Sequence, residues 1–177
     1  METEKEIFPD YARDIKINFQ NLLTGDGSPG LTQTQAAGSA LAAAYASKSP
    51  EAVRLVFETA GSALTPEQVK GIKTSASVMA MTNIYYRFLH LVNDGEYAAM
   101  PAKLRMTAIG NPGIEKTDFE IYSLAVSAVN GCGYCVESHA KKLAGSGVPK
   151  EGVQSAARIA AVVHAAAQAF FIEKAAL

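Results

Sequence analysis

The sequence predicts an all-α fold, and three observations predict it. Apolar residues recur at helical spacing, as in Ile15, Phe19 and Leu22 or Val69, Ile72, Ala76, Met79 and Ile84. Alternating Val/Ile/Thr runs bounded by turns, the mark of strands, are missing. Alanine is concentrated in 36–46 and 156–169, where it favours helix and lets backbones approach closely.

The elements follow in order. A first helix over 10–22 carries the Ile15 stripe and stops at Gly25-Asp26-Gly27. An Ala-rich helix over 32–46 is separated from the next, 50–60, by Ser49-Pro50. The long stripe from Val69 places a helix over 66–92, closed by Asn93-Asp94-Gly95. A short helix over 101–109 precedes Asn111-Pro112-Gly113. Helices over 117–129 and 133–144 flank Asn130-Gly131, and Gly145-Ser146-Gly147 precedes the last, 149–174.

A chain of 177 residues fits a single domain, 1–177, or two small halves sharing a core, and is long enough to bury a hydrophobic interior without disulfide staples. With 49% hydrophobic residues and a formal net charge of −1, it reads as an ordinary globular chain with no nucleic-acid partner. Met1 to Asp10 opens with acidic residues and no apolar signal region follows; no apolar stretch is long and uncharged enough for a bilayer. The expected location is cytoplasmic, with no membrane partner. In that reducing compartment two cysteines close in sequence point to catalysis or metal binding more than to a permanent bridge.

A shift of 84 positions brings out a weak internal repeat, with halves at about 30–95 and 114–175. Ala60-Gly61-Ser62 falls on Ala144-Gly145-Ser146, Glu67 on Glu151 and Val69 on Val153. The same shift sets Ala36 opposite Glu120, Lys48 opposite Cys132, Glu51 opposite Cys135 and Leu55 opposite His139, so only the second half carries reactive side chains.

Those side chains lie between Phe119-Glu120 and His139. Asn130-Gly131 ends one helix as a left-handed cap does, so Cys132 and Cys135 open the next. Unpaired N–H groups and the helix dipole there stabilise a thiolate, and the spacing permits a disulfide. Cys132, Cys135 and His139 stand at i, i+3 and i+7 on one face, with His139 one turn from Cys135 and able to take its proton. Glu120 would be roughly 18 Å from Cys132 along a continuous helix. If the two helices fold back about Asn130-Gly131, residue 120 comes level with 139 to 142, and a relay Glu120–His139–Cys135 results.

Other readings of these residues remain. Cysteines on Ala-rich helices are often core, and two thiolates with His139 and Glu120 would make a tetrahedral zinc set, although structural zinc sites more often use four Cys/His ligands. Haem attachment is excluded because Val136, not His, follows Cys135. His164 reads as a satisfied interior or interface histidine, His90 as a helix-end residue, and Lys141 and Lys142 as a solvated face. Tyr85-Tyr86-Arg87 is a candidate contact between protomers.

The chain resembles the carboxymuconolactone decarboxylase-like family, in its AhpD-like branch. The resemblance runs over nearly the whole length, through Pro9-Asp10-Tyr11-Ala12-Arg13-Asp14-Ile15-Lys16, Tyr85-Tyr86-Arg87, Leu104-Arg105-Met106, Asn111-Pro112-Gly113-Ile114 and Ala128-Val129-Asn130-Gly131-Cys132. The family pattern of Glu, eleven residues, Cys-x-x-Cys, three residues and His falls on Glu120, Cys132, Cys135 and His139 without a gap. The resemblance implies an all-helical fold with an internal duplication, a homotrimer, and antioxidant reduction of organic hydroperoxides with no bound cofactor. It implies that Cys135 attacks the peroxide and becomes a sulfenic acid, while Cys132 donates a proton and resolves it as a disulfide. It further implies dihydrolipoamide on a lipoylated acyltransferase as electron donor, and the peroxiredoxin component of alkyl hydroperoxide reductase, AhpC, as partner. Some relatives carry a second histidine where this chain has Tyr134. Lactone decarboxylase-like chemistry and disulfide exchange without peroxidase turnover are the alternatives; the decarboxylase branch need not use a Cys-x-x-Cys pair.

Overall fold

A computed structural model of the chain describes residues 8–24 and 26–175, so Gly25 of the first expected turn and residues 1–7 lie outside it. The described residues form α1 (Arg13–Leu23), α2 (Gln33–Ala46), α3 (Pro50–Ala60), α4 (Pro66–Val92), α5 (Gly95–Ala99), α6 (Thr107–Gly110), α7 (Lys116–Val129), α8 (Gly133–Gly145) and α9 (Lys150–Ala175), with no strand among them. The all-α expectation holds. Residues 10–12, expected as the first turn of α1, are a separate 3₁₀ turn.

Local chemistry sets the helix starts. Thr32 and Gln35 form a capping box at α2, Thr65 and Gln68 another at α4, and Ser49 caps α3 ahead of Pro50. One expected element is corrected: 101–109 is not a helix, because 101–106 run irregularly and winding begins only with Thr107–Gly110. Pro101 holds Met100 extended at φ −72°, ψ 139°, and Lys103 takes a left-handed φ of 52°.

The core is built on α2 and α7. All positions from Ala36 to Ala44 are buried, as are Phe119 and 121–127, so the middles of both helices are covered on every side and lie between others. Helix α2 packs on α7, α9, α4 and α3, while α8 folds back on α7 and also touches α4. Gly38 makes the central approach possible: a Cβ there would fall 2.3 Å from the Tyr122 ring. Helix α9 corrects the membrane expectation in one respect, being long and apolar enough to cross a bilayer by length and composition alone. Its apolar window is 50% buried, and Ile159, Val163, Ala166 and Phe170 belong to the core.

Helix starts recur along the chain. Gln33 and Lys116 are 83 residues apart, as are Pro50 and Gly133, whereas Pro66 and Lys150 are 84 apart. For the first two pairs this register differs by one from the shift read in the sequence. It sets Ala37 opposite Glu120, Ser49 opposite Cys132, Ala52 opposite Cys135 and Val56 opposite His139. The extra residue falls beyond the reactive stretch, between the start of α8 and that of α9, and so escapes an alignment made on the Gly-Ser turns.

Candidate active site

The end of α7 decides where the cysteines stand. Its last carbonyls are closed by a Schellman motif: Gly131 N–H donates to Ala128 O at 3.1 Å and Cys132 N–H to Ser127 O at 3.1 Å. That motif needs a left-handed residue, and Gly131 supplies it with φ 67°. Cys132, the last residue of this stop, is at once the N-cap of α8. Its carbonyl accepts Val136 N–H at 2.9 Å and its Sγ accepts Cys135 N–H at 3.3 Å. The one-residue junction turns the chain back on itself and leaves both sulfurs in the first turn of α8.

Cys132 and Cys135 form a disulfide there, with Cα atoms 5.3 Å apart. Cys132 is 0% exposed and Cys135 6%, so both sulfurs are buried and Cys135 is the more accessible residue. His139 follows one turn later, and its Nδ1 lies 2.6 Å from Glu120 Oε2 across the hairpin. Lys142, one turn beyond His139, donates to Glu120 Oε1 at 2.9 Å. Both oxygens of the carboxylate are therefore engaged by α8.

Electrostatics follow from this geometry. Burial by itself would raise the Glu120 pKa, but the hydrogen bonds and charges of His139 and Lys142 outweigh it and hold the carboxyl below its ordinary value. An ionised Glu120 accepts only, so Nδ1 of His139 carries the proton and donates. Nε2 is then the ring nitrogen left unengaged by Glu120, one turn from Cys135.

Glu120, Cys132, Cys135 and His139 are thus brought together as the sequence spacing suggests. Lys142, expected on a solvated face, is instead the second partner of Glu120; its position three residues after His139 is the available signal. Tyr86 and Arg87 meet the α7–α8 turn: Tyr86 stacks on Tyr134 at 5.9 Å and Arg87 Nη1 donates to Asn130 O at 2.6 Å. His164 is exposed, not interior, with Nδ1 3.1 Å from Ser47 Oγ. His90 sits in the last turn of α4. Among the described residues no group of three or more His, Cys, Asp or Glu side chains is arranged to hold a metal ion.

Residues 95–176 match the carboxymuconolactone decarboxylase family. Over 98% of both chains the protein is 49% identical to the alkyl hydroperoxide reductase AhpD of Coxiella burnetii (strain RSA 493 / Nine Mile phase I). It is 48% identical to the protein of the same name in Gluconacetobacter diazotrophicus, over 94% of this chain and 90% of that one. It is 47% identical to that of Streptomyces avermitilis, over 91% and 89%. The chain belongs to the AhpD group of the carboxymuconolactone decarboxylase family. The family match contains the whole Glu120–Cys132–Cys135–His139 constellation. The AhpD likeness also covers α2 and α3, which carry none of those side chains at the matching positions.

Proposed function

We propose that this protein is an antioxidant peroxidase that reduces organic hydroperoxides through the Cys132–Cys135 dithiol. The observation that carries the reading is the 2.6 Å bond from His139 to Glu120, which sets a braced imidazole one turn from Cys135. His139 Nε2 takes the Cys135 proton, and the helix terminus stabilises the thiolate. The thiolate attacks the terminal peroxide oxygen, the O–O bond breaks, and the alkoxide leaves as alcohol with the proton of Cys132. Cys135 is then a sulfenic acid. The Cys132 thiolate attacks its sulfur, hydroxide leaves as water with the proton held on His139, and the disulfide closes. No cofactor stays bound; two thiols are oxidised as one peroxide is reduced.

Dihydrolipoamide, carried on a lipoylated acyltransferase, is the proposed donor that reopens the disulfide, and a peroxiredoxin of the AhpC type is the proposed partner. The setting is cytoplasmic, and the halves are a duplicated unit within one domain. Assembly as a homotrimer is supported by an apolar stripe of α4, where Ile84, Phe88 and Leu91 stay exposed at helical spacing although Phe88 packs edge-on against Tyr97. Steady-state consumption of an organic hydroperoxide with dihydrolipoamide, but not with glutathione, tests the reading. Full turnover of a lactone substrate by a Cys132→Ser variant, with no peroxide consumed, would replace it with decarboxylase-like chemistry. Sedimentation equilibrium showing a monomer at micromolar concentration would remove the trimer.

A further inference from the structure

The turn that presents Cys132 is held from outside its own hairpin. Asn83 and Arg87 stand one turn apart on α4 and so face the same neighbour, the end of α7. Asn83 is 1% exposed, and both ends of its amide are used: Nδ2 donates to Ser127 Oγ at 2.9 Å, and Oδ1 accepts from Asn130 Nδ2 at 3.0 Å. Arg87 Nη1 donates to the Asn130 carbonyl at 2.6 Å, a charge-assisted bond to the last carbonyl before the left-handed Gly131. Ser127 also supplies the carbonyl that accepts Cys132 N–H. Three contacts from one helix therefore brace the turn, Arg87 on the Asn130–Gly131 peptide itself and Asn83 on the side chains of Ser127 and Asn130, and that peptide sets where Cys132 leaves the turn. Tyr86, next to Arg87, stacks on Tyr134 between the two cysteines.

We propose that Arg87 and Asn83 are positioning residues for the dithiol: they hold Cys132 within reach of Cys135, and so favour disulfide closure over the open dithiol. This rests on the reading of the pair as a redox dithiol. Without Arg87, the Asn130 carbonyl loses its charged donor, and the turn about Gly131 is held only by its own Schellman hydrogen bonds and by Asn83. Cys132 then spends less time in line with the Cys135 sulfur. The effect falls on resolution, the step in which the Cys132 sulfur bonds to the Cys135 sulfur and water leaves, and not on the first attack, which uses Cys135 and His139.

The test uses the full-length protein with Arg87→Met, Arg87→Lys and Asn83→Ala. The dithiol–disulfide equilibrium is measured in dithiothreitol buffers by alkylation and mass, and Cys135 sulfenic acid is trapped with dimedone after one equivalent of cumene hydroperoxide. Arg87→Met should shift the equilibrium about tenfold toward the open dithiol, the scale of one charge-assisted hydrogen bond. It should raise trapped sulfenic acid by a similar factor, with the initial thiol oxidation rate within about twofold of the parent. Arg87→Lys should recover part of both effects. A folded Arg87→Met protein with unchanged equilibrium and trapping overturns the proposal, as does an equal slowing of the first attack. If Asn83→Ala does not fold, the Arg87 pair decides alone. The buffer equilibrium needs no peroxide, so a protein that shows the Arg87 shift but consumes no hydroperoxide overturns the peroxidase reading and leaves the clamp standing.

Discussion

His139 donates to Glu120 across nineteen residues of sequence at 2.6 Å, and the bond exists only because α7 and α8 reverse about a single left-handed glycine. A base held in this way has one tautomer and one orientation. Replacing the carboxylate by an amide keeps a hydrogen-bond acceptor but removes the charge that supports the imidazolium. Glu120→Gln should slow Cys135 oxidation by roughly 10²–10⁴-fold if the relay dominates, and less if the helix terminus does most of the activation. Stopped-flow oxidation at pH 7 measures it; an unchanged rate in a folded variant removes Glu120 from the mechanism.

The same pair gives a pH dependence of stability. The folded Glu120 carboxyl is held below its ordinary value, so its contribution is present in full above the unfolded value of about 4.3 and is lost as pH falls through the folded one. The difference in urea midpoint between the parent and Glu120→Gln should therefore be largest near neutral pH and shrink below about pH 4. A gap that widens on acidification would contradict this.

Lys142 holds the other oxygen of Glu120 but is itself half exposed, so its influence is screened. Lys142→Met should raise the Glu120 pKa toward the ordinary carboxylate range, because a cation that lowered it is gone. The peroxidase rate should fall less than about tenfold, well short of the loss for Glu120→Gln. Carboxyl titration of the variant by NMR gives the direction.

Cys132 caps α8 with its sulfur, a job that serine does at Ser49 of α3. In the reduced protein Cys132→Ser should keep most of the stability, while Cys132→Ala should lose about 1 kcal/mol more, the usual cost of an N-cap. Both variants should accumulate Cys135 sulfenic acid, and Cys135→Ser should form none. Sulfenic acid found on Cys132 in Cys135→Ser, with peroxide consumed at the normal rate, would reverse the two roles.

At the centre, Gly38→Ala places a methyl group 2.3 Å from the Tyr122 ring. The helix-propensity gain of about 1 kcal/mol is offset by overpacking of about 1–3 kcal/mol, so a net loss in chemical denaturation is expected. Lys48→Ala and Glu51→Ala, on the α2–α3 side, should leave turnover within about twofold, the usual scatter of surface substitutions.

Much of this was legible because it is local. Asn130-Gly131, Cys-x-x-Cys and the four-residue step to His139 are written on adjacent turns, and a hairpin about a glycine brings Glu120 level with His139 by helical rise alone. Asn83 and Arg87 left no such trace, since their partner, the Asn130 turn, lies over forty residues away and is met only once α4 packs on α7. Lys142 looked like an ordinary helix-end cation because lysines usually are. The region 101–106 failed as a helix where Lys103 takes a left-handed φ of 52°, a break in any right-handed run that a lysine does not announce in sequence.

The 83-residue register has a consequence for what reactivity displaces. Ala37, Ser49, Ala52 and Val56, opposite the four reactive positions, are all buried at 8% exposure or less. Cys132, Cys135 and His139 are buried to the same degree. By that register, positions holding methyl groups and one hydroxyl in the first half correspond to positions holding sulfur, imidazole and a partly buried carboxylate in the second. Converting Glu120, Cys132, Cys135 and His139 to the Ala, Ser, Ala and Val of the matching first-half positions would trade four polar or reactive side chains for small inert ones, and the stability gained or lost would measure what holding those side chains in this fold requires.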